Sequence, residues 1–194
     1  VLVDRGGAVL ASIFGSDPNR ALLRLDYHLA ELGDRATVGF GGGCHWCTEA
    51  VFQQLIGVAD VAQGFVRAAP PDETWSEAVD VTFDPNIISL ADMLSVHLAT
   101  HASTADHKMR GKYRSAAYAT DQGQFQALER ARRDIEAETG LTFVTRILEH
   151  CGFKSSDKRF HNYYATDPKR PICQAYISPK MAKLRKNFTP LLRS

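Results

Sequence analysis

Two cysteines three positions apart, Cys44 and Cys47, follow a glycine run in the segment Gly41-Gly42-Gly43-Cys44-His45-Trp46-Cys47-Thr48-Glu49-Ala50. The residues after Cys44 read as a helix, so its thiol stands at the positive end of a helix dipole, where a thiolate is stabilised. A free thiol titrates near ~8.5, and a helix N-terminus lowers that value by one to several units. The glycines permit positive φ in the turn and let backbone N–H groups approach a bound anion or oxygen. The second thiol is close enough in the chain to form a local disulfide. A lone cysteine in a strand-to-helix corner is most often a buried packing residue. The glycine run and the neighbouring thiol favour a nucleophilic, partly exposed cysteine instead. Half a zinc site is the other use of Cys-x-x-Cys. His150, Cys151 and Cys173 are available in number, but no second Cys-x-x-Cys or paired histidine motif completes a ligand set, and no metal is expected.

The elements that must position these thiols follow from the pattern on either side. Ala36 to Phe40 predicts a short strand running into the glycines. The helix after Cys44 carries Val51, Phe52, Leu55 and Ile56 and is expected to end at Gly57. Val58 to Val66 reads as a weaker strand, and Ala68-Ala69-Pro70-Pro71-Asp72-Glu73 as a loop. Val79, Val81 and Phe83 alternate with Asp80 and Thr82, a half-buried strand closed by Asp84-Pro85. Ser89 is the expected N-cap of a helix with Leu90, Met93, Leu94, His97 and Leu98 on one side. Tyr113 to Ala119 reads as a strand. Asp121 then caps a long helix that buries Phe125, Leu128 and Ile135 and stops at Gly140. Strands are expected at Thr142 to Leu148 and near Ile172 to Ile177, separated by a short helix around Phe160 to Tyr164. Ser178-Pro179 opens a final basic helix. The mixture predicts one α+β domain. Residues 1–35 are expected to form a helical N-terminal extension, with Asp17-Pro18 at its start, Leu22, Leu25, Leu29 and Leu32 on one face, and Gly33 at its stop.

The chain has 194 residues, 44% hydrophobic and 23% charged, which suits one domain with a sizeable core. Its net charge of +1 gives no field that would favour nucleic acid or an anionic membrane. No apolar run is long enough to span a bilayer. Four cysteines are too sparse for a disulfide scaffold and suit a reducing, cytoplasmic setting, although redox enzymes also work in oxidising compartments.

From Gly39 to Phe52 the run Gly-Phe-Gly-Gly-Gly-Cys-His-Trp-Cys-Thr-Glu-Ala-Val-Phe resembles the signature of the peptide methionine sulfoxide reductase A family, a Gly-Gly-Gly-Cys-Phe-Trp run followed by an acidic residue. Ser76-Glu77-Ala78-Val79 with Phe83-Asp84-Pro85 resembles the family's second motif and its acidic catalytic residue. Lys112-Tyr113-Arg114-Ser115-Ala116 is similar to a Gln-Tyr-Arg-Ser-Ala segment. Phe160-His161-Asn162-Tyr163-Tyr164 is similar to a Tyr-His-Gln motif. Cys173 with Ser178-Pro179-Lys180 resembles the tail that often carries a recycling cysteine. The resemblance spans roughly residues 36–190, and residues 36–194 are assigned to the catalytic domain.

What the resemblance implies is a single-domain, mixed sheet flanked by helices as a two-layer sandwich. It also implies reduction of methionine S-sulfoxide, free or in oxidised proteins, to methionine. Cys44 would be the nucleophile, Glu77 the acid and Tyr113 a hydrogen-bond donor to the sulfoxide oxygen. Phe40, His45, Trp46 and Phe65 would line the pocket for the substrate. Attack leaves Cys44 as a sulfenic acid, which a neighbouring thiol resolves as a disulfide. Cys47 and Cys173 are both candidates. Thioredoxin, or dithiothreitol in the test tube, would be the reductant, with no bound cofactor and the chain acting as a monomer. Cys151 is read as a structural or surface thiol. His45 stands where the family has phenylalanine, and Phe65 where many members have a second oxygen-binding tyrosine. The residues alone leave two other readings, a thioredoxin-type thiol–disulfide oxidoreductase and a zinc-stabilised interaction module.

Overall fold

The computed structural model describes residues 35–193. The helix expected between Asp17 and Gly33, and with it the N-terminal extension, lies outside them. The described strands form one six-stranded sheet in the order β5-β4-β1-β3-β2-β6. They are β1 (Ala36–Gly42), β2 (Val58–Arg67), β3 (Ser76–Phe83), β4 (Ser115–Ala119), β5 (Arg146–Glu149) and β6 (Gly152–Ser155). Every pairing is antiparallel except β4 with β5, so the sheet is mixed.

The helices are α1 (His45–Phe52), α2 (Leu90–Thr100), α3 (Gln122–Thr139), α4 (Tyr163–Thr166) and α5 (Ser178–Asn187). One large apolar cluster joins Val38 and Phe40 of β1 and Val79, Val81 and Phe83 of β3 to residues of α1, α2, α3 and α5. The alternation read in β3 therefore marks the helix-covered face of the sheet. A smaller cluster of Val66, Ala78, Ala116 and Tyr118 occupies the opposite face. The single α+β domain predicted from the order of elements is present.

Local signals set several boundaries. The Ser89 hydroxyl accepts from Asp92 N at 3.1 Å, and the Asp92 carboxylate accepts from Ser89 N at 3.3 Å, closing a capping box worth about 1 kcal/mol. The Asp121 carboxylate caps α3 by accepting from Gln124 N, and Gly140 ends it in the left-handed conformation at φ 67°.

Other boundaries were set by tertiary contacts. Cys173 to Ile177 is a π-helical turn running into α5, not the expected strand. Cys173 and Ile177 are fully buried while Gln174, Ala175 and Tyr176 are exposed, a spacing of four that suits a helix and not a ladder. The strand expected over Thr142 to Leu148 is confined to Arg146–Glu149, where it pairs with β4. Tyr113 lies in the turn before β4, its N–H donating to Met109 O. β6 had no predictive pattern: it is four residues long and held at the sheet edge by β2. Helix α1 stops at Phe52, before Gly57, because the next turn is captured by the chain's end. Ile56 N donates to Leu191 O, and Leu55 bridges Leu192.

Candidate active site

Cys44 is the N-cap residue of α1, with extended backbone (φ −60°, ψ 125°) and a partly exposed side chain. Two glycines hold it there for different reasons. Gly43 has φ +114°, a conformation that disfavours any side chain. At Gly42 the reason is space, since a Cβ would fall 2.6 Å from His97 Cε1 and 2.8 Å from His101 Cγ. Those two imidazoles stack at 4.1 Å beneath the turn, and His97 Nε2–H donates to Gly41 O at 3.1 Å.

The Cys44 thiol is lowered to about 7. The main cause is the Cys47 thiol, which donates to the Cys44 sulfur. Burial opposes this, the N–H groups of Trp46 and Cys47 reinforce it, and the Glu77 charge pushes slightly upward. Cys44 is thus about half ionised near neutrality. The same contact pushes Cys47 strongly up, because its proton is held between the two sulfurs, and burial adds to this. Lys180 of α5 acts in the opposite sense on Cys47. Its ammonium, lowered chiefly by burial, donates to Thr100 O.

Glu77 reaches the same place from the start of β3. Its strand is positioned by Glu77 N donating to Lys112 O at 2.9 Å and by Ser76 Oγ, which donates to Lys112 O and accepts from Arg114 N. The buried Glu77 carboxylate accepts from His45 N at 3.3 Å, next in chain to Cys44. Its Oε1 lies 3.5 Å from Lys112 Nζ, and its Oε2 lies 3.9 Å from His45 Nε2. The Lys112 ammonium is raised first by the Tyr113 hydroxyl and then by Glu77, so Lys112 stands between the two residues expected to handle the sulfoxide oxygen. Arg114 of the same motif is structural: it binds Asp72 at 3.4 Å and Thr74 Oγ1 at 2.8 Å, tying the loop after β2 to β4.

Of the four residues assigned to the pocket, three gather here. His45 packs edge-on against Phe65 at 5.4 Å, and Trp46 stacks on Tyr163 at 4.1 Å with Phe160 at 5.6 Å. Phe40 is elsewhere. It has no exposed surface and stacks on Phe52 at 4.5 Å in the core, because the alternation of β1 turns it under the helices. It supports α1 from below and has no surface to offer a ligand.

Cys173 is fully buried in the same apolar cluster as Cys47, close enough to raise the Cys47 thiol. Cys151 is exposed at the turn into β6, bonded through its backbone to Arg67. Among the described residues, no group of three His, Cys, Asp or Glu side chains is placed to hold a metal.

The sequence reading missed three contributors. Lys112 and Lys180 sat inside quoted motifs, but a surface lysine carries no signal of what its head will meet. In the sequence Glu49 is no more than the acidic residue after the glycine–cysteine run. It is buried and accepts from Asn162 N (2.9 Å), Tyr163 N (3.3 Å) and Gln63 Nε2 (2.9 Å), so it anchors the segment that brings Tyr163 onto Trp46.

The two histidines have a consequence for stability. Burial holds His101 down to about 4 and His97 well below its ordinary value. An unfolded His101 takes a proton near 6.5 and the folded one only near 4. Between those values the unfolded chain binds more protons, so stability rises with pH. The contribution is complete above pH 6.5 and is lost as pH falls to 4. His101 alone removes about 3 kcal/mol over that interval, and His97 acts in the same direction. Urea unfolding at pH 7, 5.5 and 4 measures it, and a flat profile would contradict neutral buried imidazoles.

A half-ionised sulfur at a helix start, hydrogen-bonded to a second thiol and beside a buried carboxylate, defines a thiol-dependent oxidoreductase. The family model described as peptide methionine sulfoxide reductase matches residues 36–191. The peptide methionine sulfoxide reductase MsrA of Deinococcus radiodurans is 37% identical over 170 residues, covering 79% of this chain and 82% of the relative. Among solved structures, Mxr1 from Saccharomyces cerevisiae in reduced form has the same fold, with a TM-score of 0.63 at 18% identity over 75% of this chain and 94% of that one. Mxr1 in complex with Trx2 gives a TM-score of 0.54 at 17% identity, over 66% and 87%. The chain belongs to the peptide methionine sulfoxide reductase family.

Proposed function

We propose that Cys44 is the nucleophile, Glu77 the proton donor and Cys47 the first resolving thiol in the reduction of methionine S-sulfoxide, free or peptide-bound. The observation that carries this reading is the convergence of the Cys44 sulfur, the Cys47 thiol and the Glu77 carboxylate on one helix start. The Cys44 thiolate attacks the sulfoxide sulfur. The oxygen, protonated as it leaves, passes to Cys44, which becomes a sulfenic acid while the substrate becomes a thioether. Tyr113, at the same edge through Lys112, donates to that oxygen. Trp46, with Phe160 and Tyr163 behind it, forms the apolar wall for the S-methyl group, with Phe65 and His45 opposite.

Oxidation of Cys44 also prepares the next step. The bond to the Cys44 thiolate is what chiefly holds the proton on Cys47, and it disappears when that sulfur is oxidised. Lys180 then favours the Cys47 thiolate. Cys47 attacks, a Cys44–Cys47 disulfide forms and water leaves. Cys173 takes the disulfide next and passes it to thioredoxin. The yeast complex with Trx2 supports that reductant. Because Cys173 is fully buried, this transfer requires the turn Cys173–Ile177 to open. The chain works as a monomer in a reducing, cytoplasmic setting, with no bound cofactor.

Reduction of the separate epimers of methyl p-tolyl sulfoxide with dithiothreitol tests the activity. Reduction of insulin disulfides with the sulfoxide untouched would favour the thioredoxin-type reading. For the resolving order, Cys47→Ser is expected to consume about one equivalent of sulfoxide and stall with thioredoxin. Cys173→Ser is expected to form the Cys44–Cys47 disulfide normally and lose only its thioredoxin-dependent turnover. Mass-spectrometric mapping of the trapped disulfides reads both, and a Cys44–Cys151 bond would overturn the assignment.

A further inference from the structure

Two positions where this chain departs from the pattern it resembles both meet the Glu77 carboxylate, one at each oxygen. Lys112, in place of glutamine, approaches Oε1 at 3.5 Å; His45, in place of phenylalanine, approaches Oε2 at 3.9 Å. The imidazole is fixed: it is 6% exposed, packed against Phe65, and its Nδ1 lies 2.9 Å from Gly64 O. A carbonyl only accepts, so Nδ1 must carry a hydrogen. Nε2 is then the nitrogen that can gain or lose a proton, and it is the one aimed at the carboxylate.

We propose that His45 is a positioning residue that stores the catalytic proton on Nε2 and delivers it to the sulfoxide through Glu77. The proposal rests on the reductase reading above. The reactive form has a proton on His45 Nε2, a carboxylate on Glu77 and a thiolate on Cys44. As Cys44 attacks, the substrate S–O bond breaks and the Cys44 S–O bond forms, so substrate sulfur gains two electrons and Cys44 loses two. Glu77 takes the proton from His45 Nε2 and passes it to the moving oxygen, so His45 is left neutral and Glu77 ends as the carboxylate it began as. Disulfide formation with Cys47 releases water with no net proton change. Reduction of the disulfide by a dithiol returns Cys44 as a thiol, and its ionisation restores the proton to His45. A small side-chain movement on substrate binding closes the 3.9 Å gap to hydrogen-bond length.

The charged and titratable groups around His45 are few. β3 presents Glu77; the segment before β4 presents Lys112, acting through Glu77; the turn before α1 presents Cys44. β2 presents only the Gly64 carbonyl and the Phe65 ring, and α1 the Trp46 ring.

The test is the single-turnover rate of Cys44 oxidation by methyl p-tolyl sulfoxide from pH 5 to 9, for the intact protein, His45→Phe and His45→Gln. A proton delivered from Nε2 predicts that the rate of the intact protein falls on the alkaline side of its maximum. Both variants are expected to be ~10- to 100-fold slower at pH 7, with that limb moved to lower pH. Glutamine keeps a polar group at the position without a proton to release. A wild-type profile in His45→Gln would show that only geometry matters and overturn the proposal, as would a wild-type profile in His45→Phe. Should His45→Phe fail to fold, His45→Gln decides alone. Failure of the intact protein to reduce the sulfoxide would reject the reductase reading itself, a separate outcome.

Discussion

Cys44→Ser is expected to lose methionine sulfoxide reduction by about 10^4-fold or more, with dithiothreitol as well as with thioredoxin. The size follows from what the substitution removes. In the proposed reaction the Cys44 sulfur is both the electron source and the atom that receives the oxygen, and a serine hydroxyl is neither ionised near pH 7 nor oxidisable in this way. The loss is chemical and not a loss of folding. Residue 44 is the N-cap of α1, and serine is among the preferred N-cap residues. A thermal melt is therefore expected to change little while activity falls to background. The intact protein gives a complementary observation. Its Cys44 should react with iodoacetamide along a titration centred near 7, faster as pH rises through that value and slower below it. Full activity in Cys44→Ser would move the nucleophile to another cysteine, and reaction centred in the ordinary thiol range would remove the argument for its activation.

Glu77→Gln is expected to slow Cys44 oxidation by about 10^2- to 10^4-fold, the span typical of a lost general acid. Glutamine keeps the shape and can still accept from His45 N, so the buried turn stays intact. It carries no proton to release and no charge for Lys112 or His45 to face. Glu77 is one of the groups that push the Cys44 thiol upward, so its neutralisation should also shift Cys44 alkylation to lower pH. The two readouts therefore move in opposite directions: a more readily ionised sulfur with a slower reaction. A disordered site would lower both. If the single-turnover rate were unchanged across neutral pH, Glu77 would not be the acid.

How much of this was legible beforehand differs from element to element. The Gly41-Gly42-Gly43-Cys44 run, the cap at Ser89, the stop at Gly140 and the alternation of β3 are local signals, set by a few neighbouring residues, and the structure contains each of them. Gly42 shows the limit of such reading. Its lack of a side chain is needed by His97 and His101, which lie more than fifty positions further along the chain. The strand expected at Ile172 to Ile177 failed because isoleucine and tyrosine favour strands, yet Cys173 and Ile177 are buried in the core at helical spacing.

The chain by itself carried the family, and with it the reaction class, because the motifs around Cys44, Glu77 and Tyr113 match that family in order. Tertiary structure decided how those groups are charged and which of them cooperate. Whether Cys47 donates a hydrogen bond to Cys44, whether Lys180 lies near both sulfurs and whether His45 and Lys112 flank Glu77 depend on β2, β3, the loop before β4 and α5 meeting at one helix end. Electrostatic energy depends on distances of a few ångströms in a low-dielectric interior, and those distances are fixed only when the sheet and its helices pack.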